Sequence, residues 1–446
     1  MMTETTTQMK PNAAAAIIAR RRRLLGPNVA TFYDEPVHIV KGDGVWLWDA
    51  DGRKYLDCYN NVPHVGHCNP RVVEAIAWQS AVLNTHTRYL HEGILDYLER
   101  LTATFDASLS TALLTCTGSE ANDVALRMAE AVTGQRGVIA TDNTYHGNTT
   151  AVSQLAAGNT SDLGSADFVR FVPAPDSYRP QGDEDGGGSM AQTARFFADA
   201  VAERIAELKA SEFGFSALIL CPFFLNEGFP DLAEGWLKPT ADVVRKAGGL
   251  IIVDEVQPGF GRIGSHMWGH QRQGIVPDII TLGKPMANGY PMGGVVTAPD
   301  TMAAFRTAYR YFNTFGGNPV ACAAAMAVLD ELADRRLMAQ SREVGAHARE
   351  RLAALAQKYE VIGDTRGAGM IFGAELVLDR GSKAPAGDFA DRIANEMRRR
   401  GIMLNTLGRS GNTLKIRPPM IFTKENADLL FEVLDDVLAA TPVVDD

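Results

Sequence analysis

The sequence predicts an α/β fold: a large domain with a mostly parallel sheet flanked by helices, and a smaller α+β domain. The first observation is a series of short apolar runs, most of them separated by helical stretches, at residues 112–116, 137–140, 217–221, 250–253 and 279–282. Short apolar runs that alternate with helices are typical of a parallel sheet with crossover connections. The second observation is a turn-broken series of β-type runs near the amino terminus, and the third is a mixed helix and strand pattern after residue 330.

The composition is that of a soluble, enzyme-sized protein. Of the 446 residues, 46% are hydrophobic and 22% are charged, which excludes wholesale disorder. The 43 basic residues are outnumbered by 53 acidic ones, and the net charge of −10 argues against a general role on nucleic acids or membrane surfaces. The longest apolar runs, such as residues 320–329, are too short to span a bilayer. Five scattered cysteines and an amino terminus without a secretory pattern favour a cytoplasmic location.

The amino-terminal part predicts a helix and then a small antiparallel meander. Residues Ala13–Leu25 have a helical pattern that carries four adjacent arginines, residues 20–23. These arginines suggest either an anionic partner or, as we prefer, a solvated helix face near a subunit contact. Residues 37–57 contain short β-type runs broken by Gly-Asp and Asp-Gly turns, which predicts the meander.

The rest of the chain predicts a bridging helix and a carboxy-terminal domain. Residues 181–189 are acidic and glycine-rich, which indicates a surface loop inside the large domain. An alanine-rich helix is expected to begin after Asn318-Pro319 and to run past Leu329. Beyond it a helix and two strands are predicted at 388–400, 370–376 and 413–416. The predicted division is an amino-terminal arm and meander, a large domain and a small carboxy-terminal domain, at residues 1–60, 61–329 and 330–446.

The segment 115–128, TCTGSEANDVALRM, follows a predicted strand and opens a helix. Thr117 and Glu120 have the spacing of a capping box, and an apolar stripe follows at Ala121, Val124, Ala125 and Met128. Gly118 and Ser119 at the helix start leave backbone N–H groups free to bind a phosphate, helped by the helix dipole. A capped helix without a ligand is the alternative.

The segment 142–149, DNTYHGNT, follows another short strand. It places Tyr145 and His146, beside Gly147, on a loop at the carboxyl end of the sheet, where ligands of such folds bind. Taken alone, the segment is more simply interpreted as an ordinary turn.

Two further strands end in charged residues. In LIIVDEVQPGFGR, residues 250–262, Asp254 and Glu255 directly follow the strand. A buried acid needs a cation or a hydrogen-bond donor, and two adjacent acids also suggest a divalent metal. In IITLGKPMANGYPMGG, residues 279–294, Lys284 lies in a glycine-rich loop. It is a candidate nucleophile because desolvation lowers the pKa of a lysine, although a lone lysine is usually a solvated surface group.

Taken together, the four segments supply the groups that pyridoxal phosphate requires. The helix start holds the phosphate, an aromatic ring stacks on the cofactor, and a lysine forms the Schiff base. The strand-end aspartate keeps the pyridine nitrogen protonated, so that the ring accepts electrons from the carbon that loses its proton.

The chain resembles the class-III aminotransferase family of pyridoxal-phosphate enzymes. The resemblance covers about residues 32–419 and rests on five segments in the same order: TGSEAND, DNTYHGNT, DEVQPGFGR, LGKPMANGYPMGG and TFGGNP. It implies fold type I, with a large domain built on a mostly parallel sheet of the seven-stranded type and a smaller α+β domain from both chain ends. It also implies an obligate homodimer with active sites at the subunit interface.

Carried over position by position, the resemblance implies roles for individual residues. Lys284 is the Schiff-base lysine and Asp254 is the partner of the pyridine nitrogen. The other cofactor contacts are the phosphate ligands Gly118 and Ser119, the stacking residue Tyr145 with its neighbour His146, Gln257 near the ring hydroxyl, and Thr314, which reaches the phosphate of the neighbouring subunit. Arg417, in LKIRPPM, matches an arginine that commonly holds a substrate carboxylate, and a surface arginine is the alternative.

Two reactions fit the family. Its aminotransferases often carry a glutamate that can neutralise the arginine, but here Cys221 occupies that position and Glu227 is displaced. Segments 59–70, YNNVPHVGHCNP, and 83–101, LNTHTRYLHEGILDYLERL, are similar to the phospho-lyase branch, which acts on phosphoethanolamine and related phosphorylated amines. We favour the lyase, whose candidate substrate ligands are Arg88, Arg417 and Asn61. The alternative is transfer of an amino group from an ω-amino acid or amine to a keto acid.

Other classes of protein are disfavoured. His64, His67 and Cys68 are potential metal ligands, but the two histidines lie in a loop and not on one helix face, so no metal site is predicted. The run 367–373, GAGMIFG, misses the dinucleotide-binding spacing and precedes a strand. A non-catalytic scaffold is disfavoured because the lysine and the aspartate are both present.

Overall fold

The computed structural model describes residues 13–156, 166–181 and 189–442. Within these ranges the helices are Ala13–Leu25 (α1), Pro70–Val82 (α2), Glu92–Thr102 (α3), Gly118–Thr133 (α4), Thr150–Ser153 (α5), Met190–Lys209 (α6), Lys238–Lys246 (α7), Gly269–Arg272 (α8), Pro299–Ala308 (α9), Pro319–Asp334 (α10), Leu337–Lys358 (α11), Gly387–Arg399 (α12) and Lys424–Ala440 (α13). None of these helices is both long enough and apolar enough to cross a membrane. Residues 182–188, most of the predicted surface loop, lie outside the described residues.

The strands in the same ranges are Ile39–Asp43 (β1), Trp46–Asp49 (β2), Lys54–Asp57 (β3), Thr111–Thr115 (β4), Val138–Thr141 (β5), Val169–Val172 (β6), Ala217–Leu220 (β7), Leu250–Asp254 (β8), Ile279–Leu282 (β9), Gly293–Thr297 (β10), Ile362–Ala368 (β11), Ile371–Asp379 (β12), Ala384–Pro385 (β13), Ile402–Met403 (β14), Asn405–Leu407 (β15) and Thr413–Ile416 (β16).

The largest sheet has seven strands, in the order β4-β10-β9-β8-β7-β5-β6. Neighbouring strands from β6 to β9 are parallel, whereas β10 is antiparallel to both β9 and β4. The predicted mostly parallel sheet flanked by helices is therefore confirmed. All five apolar runs are strands, and the sequence analysis misses only β6 and β10 of this sheet. Strand β10 begins with Gly293 and Gly294, at the end of the segment that we interpreted as a glycine-rich loop.

Strand β8 shows why the apolar runs predict this sheet. Ile251 and Val253 pack with α6 and α7 on one face, whereas Ile252 packs with α4 on the other. Because helices cover both faces, the strand is apolar without alternation. Burial of each such side chain contributes about 1.5–3 kcal/mol to stability. The strand ends at Asp254, so that this carboxylate lies at the carboxyl edge of the sheet.

The two chain ends meet in a second sheet, in the order β1-β2-β3-β14. Strands β1 to β3 are antiparallel neighbours, so the meander predicted over residues 37–57 is confirmed. Strand β14 pairs in parallel with β3 and thereby joins the carboxy-terminal part of the chain to the amino-terminal part. The division into domains at residues 60 and 329 stays a prediction.

The carboxy-terminal part contains a third sheet, in the order β11-β12-β16-β15, with β13 paired to β12. Strands β12 and β16 and helix α12 correspond to the three elements predicted there. The bridging helix is α10, which begins at Pro319; the side chain of Asn318 caps it by accepting a hydrogen bond from the Ala321 N–H at 2.9 Å. Strand β16 ends at Ile416, and the residue that follows it reaches the central sheet, as described below.

Candidate active site

An open cavity of about 510 Å³ lies at the carboxyl edge of the central sheet. Its walls come from segments that follow β4, β5, β7, β8 and β9, and the lining residues are Gly118, Ser119, Tyr145, His146, Gly147, Cys221, Asp254, Val256, Gln257 and Lys284. The structure thus brings together every predicted cofactor contact except Thr314. The parallel topology explains this convergence, because parallel strands present their carboxyl ends on the same side.

The start of α4 forms a cradle that fits a phosphate. Thr117 Oγ1 accepts a hydrogen bond from the Glu120 N–H at 3.1 Å, and the Glu120 carboxylate accepts one from the Thr117 N–H at 3.2 Å, so the predicted capping box is confirmed. This cap leaves the N–H groups of Gly118 and Ser119 without an intrahelical partner, at the positive end of the helix dipole. A Cβ at Gly118 would lie 3.0 Å from Val256, so a glycine keeps this surface open.

Gly147 closes the other side of the cradle. Its φ is +141°, and a Cβ there would lie 2.4 Å from Ser119 Oγ and 2.7 Å from Ser119 Cα. We expect Gly147→Ala to displace Ser119 and to weaken the binding of pyridoxal phosphate at least about tenfold, which corresponds to roughly 1.4 kcal/mol. Titration of the apoenzyme with the cofactor, followed by absorbance, measures this change.

Gly134→Ala is the matched control for the substitution at Gly147. Gly134 ends the same helix with a φ of +67°, but a Cβ there would meet nothing within 4 Å. We expect the control to lower the free energy of unfolding by about 1 kcal/mol and to leave the affinity for the cofactor unchanged. Equal loss of affinity in both variants would show that backbone strain, and not the cradle, is responsible.

Three donors hold the carboxylate of Asp254, which is only 5% exposed. Its Oδ2 atom lies 2.7 Å from His146 Nδ1 and accepts a hydrogen bond from Asn122 Nδ2 at 3.1 Å, and its Oδ1 atom accepts one from the Val256 N–H at 3.0 Å. His146 Nε2 lies 3.1 Å from Thr144 Oγ1. Donors on both oxygens fix the orientation of the carboxylate toward the cavity. The acid is therefore suited to face a protonated ring nitrogen.

Asn122 and Thr281 belong to this network, and the sequence analysis misses both. Thr281 Oγ1 donates to Asn122 Oδ1 at 2.6 Å, and Asn122 Nδ2 also donates to the carbonyl of His146 at 2.7 Å. Asn122 lies fully buried on α4, among the residues of its apolar stripe. A buried amide in an apolar stripe needs polar partners, so the position of Asn122 in the sequence pattern indicates a buried polar network.

Glu255 does not join Asp254 in the cavity. Its side chain accepts hydrogen bonds from the N–H groups of Gly269 and His270 at 2.9 and 2.8 Å and lies 2.9 Å from His270 Nδ1. Successive residues of a strand point to opposite faces, which separates the two acids. Within the described ranges, no cluster of three or more histidine, cysteine, aspartate or glutamate side chains is arranged to hold a metal ion.

Lys284 follows β9 and is half-buried in the cavity wall. Burial lowers the pKa of its amine and the positive charge of Arg417 lowers this pKa further, whereas the charge of Asp254 raises it. A lower pKa increases the share of neutral amine, the form that attacks a carbonyl carbon or accepts a proton. The environment of Lys284 therefore fits a catalytic amine.

Two buried basic residues, Lys415 and Arg417, lie beside Lys284. Arg417 is 5% exposed; it donates one hydrogen bond to Gln257 Oε1 and another to the Tyr59 carbonyl at 3.4 Å, and burial lowers its pKa to about 10. Lys415 is 4% exposed, and its pKa lies well below the usual value because of burial and the charges of Arg417 and Lys284. Among the described residues, no carboxylate forms an ion pair with either of them. Lys415 is not among the residues predicted from the sequence, although its spacing of two from Arg417 favours the same face of an extended chain.

The glutamate displaced in the sequence does not pair with Arg417. Glu227 Oε1 accepts a hydrogen bond from Thr141 Oγ1 at 2.6 Å, and Oε2 accepts one from the Asn226 N–H at 3.0 Å. Burial raises the pKa of Glu227, and burial also raises the pKa of the Cys221 thiol. Arg417 thus has a neutral amide as its side-chain partner where an acid would cancel its charge.

The other predicted contacts, Arg88, Thr314 and Asn61, do not line the cavity. The exposed Arg88 places its guanidinium 3.7 Å from the centroid of the Phe312 ring, and Thr314 is exposed in the segment that follows this ring. Asn61 is 2% exposed, and its Nδ2 atom has no hydrogen-bond partner in the described part of the chain. The roles of these three residues stay predictions.

Comparisons with known proteins identify the family. Residues 29–438 match the model of the family described as aminotransferase class-III. The chain is 38% identical over 423 residues to the alanine–glyoxylate aminotransferase 2-like protein of Drosophila melanogaster, covering 92% of this chain and 84% of that one. It is 35% identical over 452 residues to ethanolamine-phosphate phospho-lyase homolog 1 of Caenorhabditis elegans, covering 97% of both. A solved phospholyase from Arthrobacter, in complex with phosphoethanolamine, has a TM-score of 0.91 and 42% identity, covering 96% of this chain and 100% of that one.

The matched region spans nearly all of the central sheet and its cavity, and the seven-stranded α/β architecture is that of fold type I. The chain therefore belongs to the class-III aminotransferase family of pyridoxal-phosphate-dependent enzymes.

Proposed function

We propose that this enzyme is a phospho-lyase that eliminates phosphate and ammonia from a small phosphorylated amine such as phosphoethanolamine. The observation that carries the proposal is the pair of buried basic residues, Lys415 and Arg417, beside Lys284. The resemblance of segments 59–70 and 83–101 to the phospho-lyase branch supports it independently.

Positive charge beside the cavity favours a dianion. The whole chain has a net charge of −10, yet Lys415 and Arg417 form no ion pair with any carboxylate of the described residues. Burial of an unpaired charge costs several kcal/mol, so a cluster of this kind is stabilised when an anion binds. A phosphate monoester carries up to two charges and accepts several hydrogen bonds, so it offsets two cations better than a carboxylate does.

Different residues of the chain then act at different steps of the reaction. Pyridoxal phosphate, when bound, supplies an electron sink for the carbon next to the nitrogen. We assign the removal of the proton from that carbon to the neutral amine of Lys284. Arg417 and Lys415 stabilise the phosphate as its bond to the neighbouring carbon breaks. The remaining product hydrolyses to an aldehyde and ammonia, and no second substrate is needed.

The names of similar proteins support both reactions of the family. The nematode relative and the Arthrobacter structure carry the phospho-lyase name, whereas the Drosophila relative carries an aminotransferase name. Transfer of an amino group to a keto acid is therefore the second candidate. It would need a way to cancel the charge of Arg417 for one of its two substrates. Cys221 cannot supply that charge while burial raises the pKa of its thiol, and Glu227 is engaged with Thr141.

A homodimer is part of the proposal. Tyr89, Leu90 and Phe315 are large apolar side chains with exposed fractions of 66%, 103% and 71%. Exposed apolar clusters of this kind mark subunit contacts. Because Arg88 lies over the Phe312 ring, the segments around residues 88 and 312 adjoin one another. A second copy that covers them would receive Arg88 and Thr314 at its own active site.

A cytoplasmic location stays a prediction from the cysteine pattern.

Purified holoenzyme is expected to release phosphate and ammonia in equal amounts from phosphoethanolamine, without any keto acid. Colorimetric phosphate and coupled ammonia assays measure the two products, and aldehyde reduction measures the third. Addition of pyruvate should not change the rate. Formation of alanine from pyruvate and an amine donor, with no release of phosphate, would instead establish the aminotransferase.

A further inference from the structure

A fully buried guanidinium lies behind Arg417. Arg262 is 0% exposed and belongs to the segment that follows β8. Its Nη1 atom donates to the Pro418 carbonyl at 2.6 Å and its Nη2 atom donates to His64 Nδ1 at 3.0 Å. Nη1 also donates to the Met370 carbonyl at 3.4 Å. All three partners are neutral, and in the parts of the chain that the structure describes no aspartate or glutamate forms an ion pair with Arg262. Its Nε atom has no hydrogen-bond partner there either.

The imidazole of His64 is neutral, so it does not compensate the charge of Arg262. His64 is itself fully buried, and its Nε2 atom lies 2.9 Å from the Phe260 carbonyl. A carbonyl only accepts hydrogen bonds, so Nε2 carries the proton and the lone pair on Nδ1 accepts from Arg262; this assignment rests on the network. Burial and the charge of Arg262 lower the pKa of His64, which agrees with a neutral ring. The aspartate whose charge raises the pKa of Arg262 is Asp57, but its carboxylate already lies 2.6 Å from His67 Nε2.

The same segment holds Arg417 from two sides. Gln257 accepts a hydrogen bond from the Arg417 guanidinium, and Arg262, five residues further along, holds the carbonyl of Pro418, the next residue after Arg417. His64 also accepts a hydrogen bond at its carbonyl from the Met420 N–H at 2.8 Å. The strap 417–420 is therefore fixed against the segment that begins with Asp254.

We propose that Arg262 is a positioning residue that fixes Arg417 and adds a permanent positive potential behind it, so that the cavity prefers a phosphate dianion to a neutral group. The inference rests on the proposed function, because it explains how that anion site is built. A charge in a dry, low-dielectric surrounding acts over a longer distance than one in water. Because its partners are fixed in advance, no reorganisation is needed when the anion arrives.

Two substitutions separate the charge of Arg262 from its hydrogen bonds. Arg262→Gln removes the charge and keeps a side-chain donor for the Pro418 carbonyl. Arg262→Lys keeps the charge but loses the planar pair of terminal nitrogens that donate to Pro418 and His64. Arg380→Met is the matched control, because the Arg380 guanidinium likewise donates to main-chain carbonyls, those of Ala356, Tyr359 and Ile362, which do not line the cavity. His64→Glu is a second way to cancel the charge, since it would place a carboxylate next to an intact Arg262.

The measurement is the inhibition constant of holoenzyme for inorganic phosphate and for ethanolamine, which has the amine without the phosphate. We expect Arg262→Gln and His64→Glu to raise the constant for phosphate about tenfold or more, with the constant for ethanolamine changed less than about twofold. Arg262→Lys should stay within about threefold of the wild type for both inhibitors, and Arg380→Met should match the wild type. The shift of the melting temperature of the holoenzyme with added phosphate should follow the same order, since it reports binding without turnover.

Equal changes in the inhibition constants for phosphate and ethanolamine would show that Arg262 has only a structural role. An unchanged constant for phosphate in Arg262→Gln and His64→Glu would likewise overturn the inference. If the wild type neither binds phosphate nor releases it from phosphoethanolamine, the proposed function fails and the inference with it. If the wild type binds phosphate and releases it from phosphoethanolamine, but the Arg262 variants behave like Arg380→Met, the inference alone is wrong.

Discussion

Lys284→Ala is expected to lower the turnover of every amine substrate by about 10⁴-fold or more. Lys284 is the amine of the cavity whose pKa burial brings down while Asp254 faces the same space. The other titratable groups in the wall are poor substitutes. His146 lies 2.7 Å from Asp254 in a hydrogen bond, and burial raises the pKa of the Cys221 thiol. Steady-state kinetics with phosphoethanolamine measure the loss.

A chemical readout separates the role of Lys284 from a loss of folding. Borohydride treatment of wild-type holoenzyme should add the mass of the reduced cofactor to the peptide that contains Lys284, and the variant should gain no such mass. The thermal stability of the variant should not fall, because removal of a partly buried amine relieves a desolvation cost. Lys246→Ala, at an exposed position of α7, is the control and should keep full turnover. Labelling of Lys415, the other lysine close by, would contradict the assignment.

The central sheet could be predicted because its strands obey one physical rule. Strands covered on both faces are continuously apolar, and this pattern locates β4, β5, β7, β8 and β9. The rule fails at β6 and β10 for different reasons. Strand β6 contains a partly exposed Arg170, so it is not a continuous apolar run. Strand β10 begins with two glycines, and a Cβ at Gly293 would lie 2.4 Å from the Thr117 carbonyl oxygen. Glycine serves close packing there, where the sequence suggests a loop.

The cofactor side of the site could be predicted for a related reason. Gly118, Tyr145, Asp254 and Lys284 all follow short apolar runs, and parallel strands bring such positions to one edge. One basic residue on the substrate side could not be predicted, because it lies inside a regular element. Lys415 is in the middle of a buried strand, where a lysine is rare enough to be a signal only once a cavity is known. Arg88 and Thr314 remain outside the cavity of one chain, so their predicted roles depend on a second copy.

Asp254→Ala is expected to reduce kcat on the order of 10³-fold, because it removes the carboxylate that we propose as the partner of the protonated ring nitrogen of the cofactor. The effect should exceed that of changing any of its partners, since His146, Asn122 and the Val256 N–H all act through this one carboxylate. A cofactor analogue methylated at the ring nitrogen carries a fixed positive charge. Alanine leaves room for the methyl group, so this analogue should restore activity in the variant about tenfold or more.

Glu255→Gln provides the contrast for the substitution of Asp254, because the two acids are neighbours in sequence with opposite surroundings. Glu255 accepts hydrogen bonds from Gly269 and His270 away from the cavity, and an amide cannot accept all of them. We expect Glu255→Gln to lower the free energy of unfolding by about 1–3 kcal/mol while kcat at a temperature below its transition stays within about threefold of the wild type. Denaturant titration and kinetics on the same preparations measure both quantities. If the methylated analogue rescued Glu255→Gln and not Asp254→Ala, the proposed pairing of Asp254 with the cofactor would be wrong.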